Sequence, residues 1–213
     1  MSTIWDGEYG YDAYREILNY LKLNFSLNYL IREIPQILSQ IHRPKFIIRH
    51  DVTTAPEKAL VMAELESGMA VASTYLFCTD ASDYEYDAGD TPGIIDGIRG
   101  LGHEVGLHYA IDPAEGSRGP TPAFIDKDIR ARCGKLESVT RGPVFSVSLN
   151  DSSLKSPGRS LFLGSKVNAA APMMMEWHLV DTDPPWKMDA IAPRPARPYE
   201  ALLQLVIHPH LWG

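Results

Sequence analysis

Residues 45–52 read KFIIRHDV, and residues 53–68 read TTAPEKALVMAELESG. Phe46, Ile47 and Ile48 form a short continuous apolar run, the pattern of a strand buried on both faces in a parallel sheet. A helix is predicted to follow at once. Thr54 is expected as its N-cap, Pro56 suits its first turn, Glu57 stands at capping-box spacing, and Gly68 marks its end. A buried strand that passes directly into a helix is the opening of a βαβ unit.

The pattern repeats downstream. ASTYLFC (72–78) reads as the next strand, and an acidic polar loop runs through residue 92. IIDGIRGLG (94–102) is a helix, and HEVGLHYAID (103–112) is a third strand running out into a loop. After a Pro- and Gly-rich stretch, a helix is expected over about 122–138 and a strand over VFSVSL, 144–149. Residues 150–200 are Pro-rich and carry no clear period, and a last strand is expected at 202–208. Upstream, residues 11–40 predict two short amphipathic helices. One presents Tyr14, Ile17, Leu18 and Leu21, the other Ile31, Ile34, Ile37 and Leu38. Strands alternating with helices favour a parallel α/β sheet with right-handed crossovers, open or closed into a barrel. The length of 213 residues suits one domain over 1–213. Residues 1–44 form a helical extension of it.

Composition narrows the function. The chain is 45% hydrophobic and 22% charged, ordinary for a globular protein. A formal charge of −7 with no long basic run argues against a nucleic-acid partner and suits a site that holds a cation. The first residues, MSTIWDGEYGYD, lack the basic and apolar regions of a secretory signal, and no run approaches the length of a membrane span. Two cysteines, Cys78 and Cys133, read as free thiols, so a cytoplasmic location is expected. Homo-oligomerisation is left open.

In parallel α/β folds, ligands sit at the carboxyl ends of the strands. The first strand here ends in Arg49, His50 and Asp51. The third ends in His108, with Asp112 four residues on, and the last ends in His208 and His210. Three strand ends far apart in sequence thus each offer a carboxylate or an imidazole. Such groups serve as bases, acids or ligands of a divalent metal, zinc in particular. Each also has a plainer reading: Asp51 as a helix cap, His108 as a satisfied core histidine, His208 as a surface strand terminus. By strand alternation His50 and His103 face away from Asp51 and His108 and are expected to be structural. The chain has no G-x-G-x-x-G after a strand, no phosphate loop, no G-x-S-x-G elbow and no H-E-x-x-H.

Together, R-H-D-V-x-x-x-P-E-x-A-L, S-T-Y-L-F, G-H-E-V-G-L-H-Y and L-x-I-H-P resemble the polysaccharide deacetylase family, carbohydrate esterase family 4. The likeness is to its intracellular R-H-D-V-D branch from bacterial surface-polysaccharide gene clusters. It is close over 45–109 and loose over 144–213. It implies a distorted (β/α)7-type barrel that removes acetyl groups from sugars with a divalent metal. Asp51 matches the catalytic base, His108 the first metal-binding histidine, and His208 the late histidine that acts as acid. Asp181 and Trp186 resemble the supporting acidic and aromatic positions of the fourth motif; these two and Tyr109 are expected to contact the substrate, and Asp51, His108 and Asp112 to form the metal set. The departures are specific. Thr53 stands where the family has a metal-binding aspartate, Asp112 where it has a second histidine, and S-L-N-D-S-S around Asn150 carries no arginine. Two functions follow as expectations. One is a metal-dependent deacetylase of an acetylated saccharide. The other is a catalytically impaired homologue that binds a saccharide or a protein.

Overall fold

The structure is a computed structural model and describes residues 3–25, 27–37, 44–110, 121–150, 160–187, 191–192 and 202–213. In chain order the elements are β1 (Thr3–Trp5), α1 (Tyr11–Asn24), β2 (Leu27–Asn28), α2 (Ile34–Ile37), β3 (Lys45–Val52), α3 (Pro56–Gly68) and β4 (Thr74–Cys78). There follow α4 (Thr91–Gly100), β5 (Glu104–Ala110), α5 (Pro122–Thr140), β6 (Ser146–Asn150), β7 (Phe162–Leu163) and β8 (Lys166–Asn168). The last are α6 (Pro172–Met175), β9 (His178–Val180), β10 (Trp186–Lys187) and β11 (Leu202–Ile207).

The main sheet runs β7-β8-β6-β5-β4-β3-β11-β9, with β2 paired in parallel to the start of β3. Every neighbouring pair along it is parallel except β7 with β8. The strands from β8 to β9 therefore make a curled parallel sheet of the distorted (β/α) barrel type, the architecture expected from the alternation of buried strands and helices.

Strand alternation divides this sheet into two chemistries. On the convex face, Tyr75, Phe77, Leu107 and Val147 pack against α3, α4 and α5 through Ala59, Ile95, Ile98, Ile129 and Leu136. Farther along, Phe46, Ile48, Leu203, Leu205 and Ile207 pack against α1 through Tyr14, Ile17, Leu18 and Leu21, and against Trp5, Trp186 and Trp212. The convex face also buries one carboxylate. Glu66 of α3 accepts from Tyr14 Oη, and from Tyr75 Oη at 2.7 Å, and lies 2.7 Å from His50 Nε2. His103 completes the group. Its Nδ1 accepts from Ser73 N at 3.0 Å, which leaves Nε2–H to donate to the Ala63 carbonyl at 2.9 Å, the neutral tautomer. Burial pulls the His103 pKa down in agreement with that. His50 and His103 therefore tie helices to the back of the sheet.

The concave face is more polar. Its amino-terminal end is closed by Ile31, Ile34 and Ile37, which pack on Ile47, Leu76 and Leu202. Beside them Glu104 accepts from Thr74 Oγ1 at 2.9 Å, Ser146 Oγ at 2.6 Å and the Arg32 amide at 3.1 Å. The second predicted amphipathic helix is thus a 3-10 turn (Ile31–Glu33) running into one turn of α2, with β2 before it. Its apolar residues fill a barrel end rather than one helix face. The expected cap of α3 also differs. Ala55, in a left-handed conformation (φ 48°, ψ 60°), takes the N-cap position, and no side chain caps the helix.

Gly106 lies at the centre of β5 on the concave face. A Cβ there would meet Leu76 Cδ2 and the Ser146 carbonyl oxygen, each at 2.5 Å. A side chain at 106 would force β5 and β6 apart. Gly106→Ala should cost about 1–3 kcal/mol of stability, as overpacking a rigid interior does. Gly134→Ala, in α5 where a Cβ meets nothing within 4 Å, should instead gain about 0.5–1 kcal/mol. Urea unfolding of the two variants checks both signs.

Candidate functional site

The register brings the predicted strand ends together. Asp51 pairs across to Leu76 of β4, Cys78 to His108 of β5, and Ile207 of β11 to His50 of β3. His208 therefore follows β11 beside Asp51. Val206 pairs with Val180 of β9, so Asp181 emerges on the other side of His208.

Asp51 is almost completely buried and is clasped by Arg49, two residues earlier on the same face of β3. Arg49 Nε donates to Oδ1 at 2.7 Å and Nη2 to Oδ2 at 2.5 Å, with both side chains about 5% exposed (6% and 5%). His108 Nδ1 lies 3.5 Å from Asp51 Oδ1. That is ion-pair range, but the nitrogen is buried and forms no hydrogen bond among the described residues. Burial pushes the Asp51 carboxyl up. The Arg49 guanidinium, helped by His108, overrides it and holds the group far below the usual carboxylate range.

His208 is built in the opposite sense. Asp181, completely buried, lies with Oδ1 2.6 Å from His208 Nδ1, and its Oδ2 accepts the His208 amide at 2.7 Å and Trp212 Nε1 at 2.8 Å. Tyr9 Oη donates to the Asp181 carbonyl at 2.8 Å. With Nδ1 directed to a carboxylate, the ring presents Nε2 elsewhere, and the side chain keeps 22% exposure. Burial alone would pull its pKa down, but the hydrogen bond and charge of Asp181 raise it above the ordinary imidazole value. The Asp51 charge adds to that rise and Arg49 opposes it, so His208 lies within electrostatic reach of both. The neighbouring His210 is lowered by burial and by His208. Neighbouring strand ends thus carry a carboxylate kept ionised and an imidazole whose pKa is raised, environments that separate a base from an acid.

The other expected residues fall differently. Tyr109, next to His108 on β5, faces the helices. Its hydroxyl donates to Asp128 Oδ2 at 3.0 Å and its ring lies 4.8 Å from the Arg132 guanidinium carbon. It is thus a convex-face residue and not a wall of the cleft. Asp181 and Trp186 are buried as well. Asp181 orients His208, and Trp186 donates to the Val180 carbonyl at 3.1 Å while packing edge-on against Trp5. Neither offers a surface to a substrate. Asp112 and the S-L-N-D-S-S stretch beyond Asn150 lie outside the described residues. Arg49 as the partner of Asp51 was not anticipated, although the i, i+2 spacing on a strand carries that signal.

A divalent metal is what the family resemblance implies, and the donor set can be tested against it. The 3.5 Å between Asp51 Oδ1 and His108 Nδ1 is about what two donors on one tetrahedral ion would show. Among the described residues the rest of such a site is not present. Both Asp51 oxygens already face N–H groups of a guanidinium. Thr53 offers a hydroxyl where a carboxylate would be needed, and His208 Nδ1 is directed to Asp181. Among the described residues no three His, Cys, Asp or Glu side chains come together as a metal site. The described donors do not fit the metal.

No protein-family model matches the chain, and no curated protein matches it. Among solved structures, a carbohydrate esterase family 4 (CE4) esterase from Streptococcus mutans matches with a TM-score of 0.51 at 12% identity, over 89% of this chain and 82% of that one. A family 4 carbohydrate esterase from Bacillus anthracis matches with a TM-score of 0.46 at 13% identity, over 76% of this chain and 66% of that one. A family 4 acetyl xylan esterase from Clostridium thermocellum, solved with a cobalt ion, matches with a TM-score of 0.34 at 19% identity. There the match covers 48% of this chain and 47% of that one, so it spans about half of that esterase. The likeness to the Streptococcus mutans esterase establishes the fold.

Because the His208 pKa is raised in the folded state, its contribution to stability is complete below the unfolded value of about 6.5 and is lost as pH rises through the higher folded value. The stability difference between the natural protein and His208→Ala should therefore shrink as pH is raised across that interval. Thermal unfolding at stepped pH measures it. An unchanged difference would mean that Asp181 does not hold the proton.

Proposed function

We propose that this chain is a deacetylase-type hydrolase that removes an acetyl group from a saccharide, with Asp51 as the base and His208 as the acid. The observation that carries the reading is the opposed electrostatic tuning of two groups at neighbouring strand ends: Arg49 holds the Asp51 pKa down and Asp181, 2.6 Å from His208 Nδ1, raises that of His208. The fold shared with the Streptococcus mutans CE4 esterase supports the reaction class. The position at the carboxyl ends of parallel strands supports the location.

Asp51 would accept a proton from a water as that water's oxygen attacks the acetyl carbonyl carbon. Charge then develops on the carbonyl oxygen, where positively charged groups stabilise it. His208, facing the same cleft, would give its Nε2 proton to the sugar oxygen or nitrogen as the bond to the acetyl carbon breaks. Acetate leaves, and a later exchange with solvent returns the proton from Asp51 to His208. Asp181 positions the ring and balances its charge through both steps, as the carboxylate of a catalytic triad does.

A second reading is a catalytically impaired homologue that binds a saccharide. The Arg49 clasp favours it. A carboxylate whose pKa is held so low is a weak base, since a base works best with a pKa near the working pH.

Acetate release from acetylated oligosaccharides decides between the two. Hydrolysis by the natural protein, with a loss of about 10²–10⁴-fold in His208→Ala, is the expected result. Asp51→Asn should abolish turnover, although it leaves a buried guanidinium unpaired at a cost of about 3–5 kcal/mol. Circular dichroism must therefore show that variant folded. Saccharide binding without turnover in the natural protein would establish the impaired reading, and neither binding nor turnover would overturn both.

A further inference from the structure

We propose that Arg49 supplies the positive charge facing Asp51 permanently, and that the Asp51–His108 pair holds no divalent metal. The inference concerns the charge balance of the cleft and holds under either functional reading.

The clasp is internal to one strand. Arg49 and Asp51 share the concave face of β3, so the guanidinium reaches both carboxylate oxygens without any loop having to close. Both side chains are almost fully buried, and neither could leave the other without stranding a charge away from water. A metal entering here would compete with a fixed, bidentate partner of the same sign. His208 adds to that opposition, because Asp181, 2.6 Å from its Nδ1, raises its pKa. The Asp51 carboxylate is already balanced by the Arg49 guanidinium, so it has no spare charge to offer a divalent ion.

Among the described residues the surroundings are poor in ligands as well. Next to Asp51 on the concave face stand Leu76 of β4 and, beyond it, Gly106 of β5. Next to His108 stands Ser148 of β6, whose buried hydroxyl finds no hydrogen-bond partner among the described residues. His108 Nδ1 and Ser148 Oγ are buried polar atoms of the kind that ordered water satisfies. Thr53 completes the picture, since the carboxylate that would outbid the guanidinium is replaced by a hydroxyl.

The test reads metal content and not activity. Protein purified without chelator should carry far less than one equivalent of zinc, cobalt or manganese by elemental analysis. Added Co²⁺ should give no tetrahedral d–d absorption and no rise in melting temperature. Thr53→Asp combined with Arg49→Met should gain Co²⁺ absorption. If that double variant does not fold, Thr53→Asp alone should still bind Co²⁺ more tightly than the natural protein does. Any metal that the Asp51→Asn, His108→Ala and Asp112→Asn variants all retain lies elsewhere and agrees with the inference. Stoichiometric metal lost in Asp51→Asn or His108→Ala would overturn it. Acetate release is measured separately with and without chelator, so an inactive protein free of metal overturns the hydrolase reading alone.

Discussion

A carboxylate buried at the end of a strand survives only with a partner, and Arg49 is the partner of Asp51. The energetics of the site follow from that pair. Desolvation alone would neutralise Asp51, and two N–H···O contacts from one guanidinium keep it charged. Because the pair is written into β3 itself, the charge is fixed by the same alternation that builds the sheet. His108 lies in ion-pair range of that charge, and His208, oriented by Asp181, lies within its electrostatic reach.

Alternation is also what separates scaffold from site. The convex face carries its own buried polar group, Glu66 with Tyr14, Tyr75, His50 and His103, which joins α1 and α3 to β3 and β4. It lies on the other side of the strand from Asp51. A reader of the sequence sees the run Arg49, His50, Asp51 as one polar cluster. The strand deals those residues alternately to the cleft, to the helices and to the cleft again. Cys133 shows the same division. Inside α5 it packs on the convex face, where burial pushes its thiol up to about 11 and leaves it inert.

Much of the fold is legible in the sequence. Apolar runs bounded by Gly and Pro place β3, β4, β5 and β11 to within a few residues, and the strand-end rule points to Asp51, His108 and His208 as candidates. The failures have physical causes. Tyr109 was set beside the substrate because it adjoins His108, although period-two alternation turns it to the helices. The family resemblance sets Asp181 and Trp186 beside the substrate. Their hydrogen bonds run inward, to His208 and to the Val180 carbonyl. The Arg49–Asp51 pair follows from the strand itself, since residues at i and i+2 share a face. Thr54 failed as a cap because the chain turns through Ala55 in a left-handed conformation, which no local residue preference announces.

The account rests on two groups in one cleft with pKa values driven apart. The rate of acetate release from an acetylated saccharide as a function of pH tests this most directly. With Asp51 held ionised and His208 held protonated, activity should persist below the ordinary carboxylate range. Its alkaline limb should fall above the ordinary imidazole value of about 6.5 and move down in Asp181→Asn. A rate that climbs with pH through the imidazole range, or an alkaline limb that Asp181→Asn leaves in place, would contradict the assignment of acid and base.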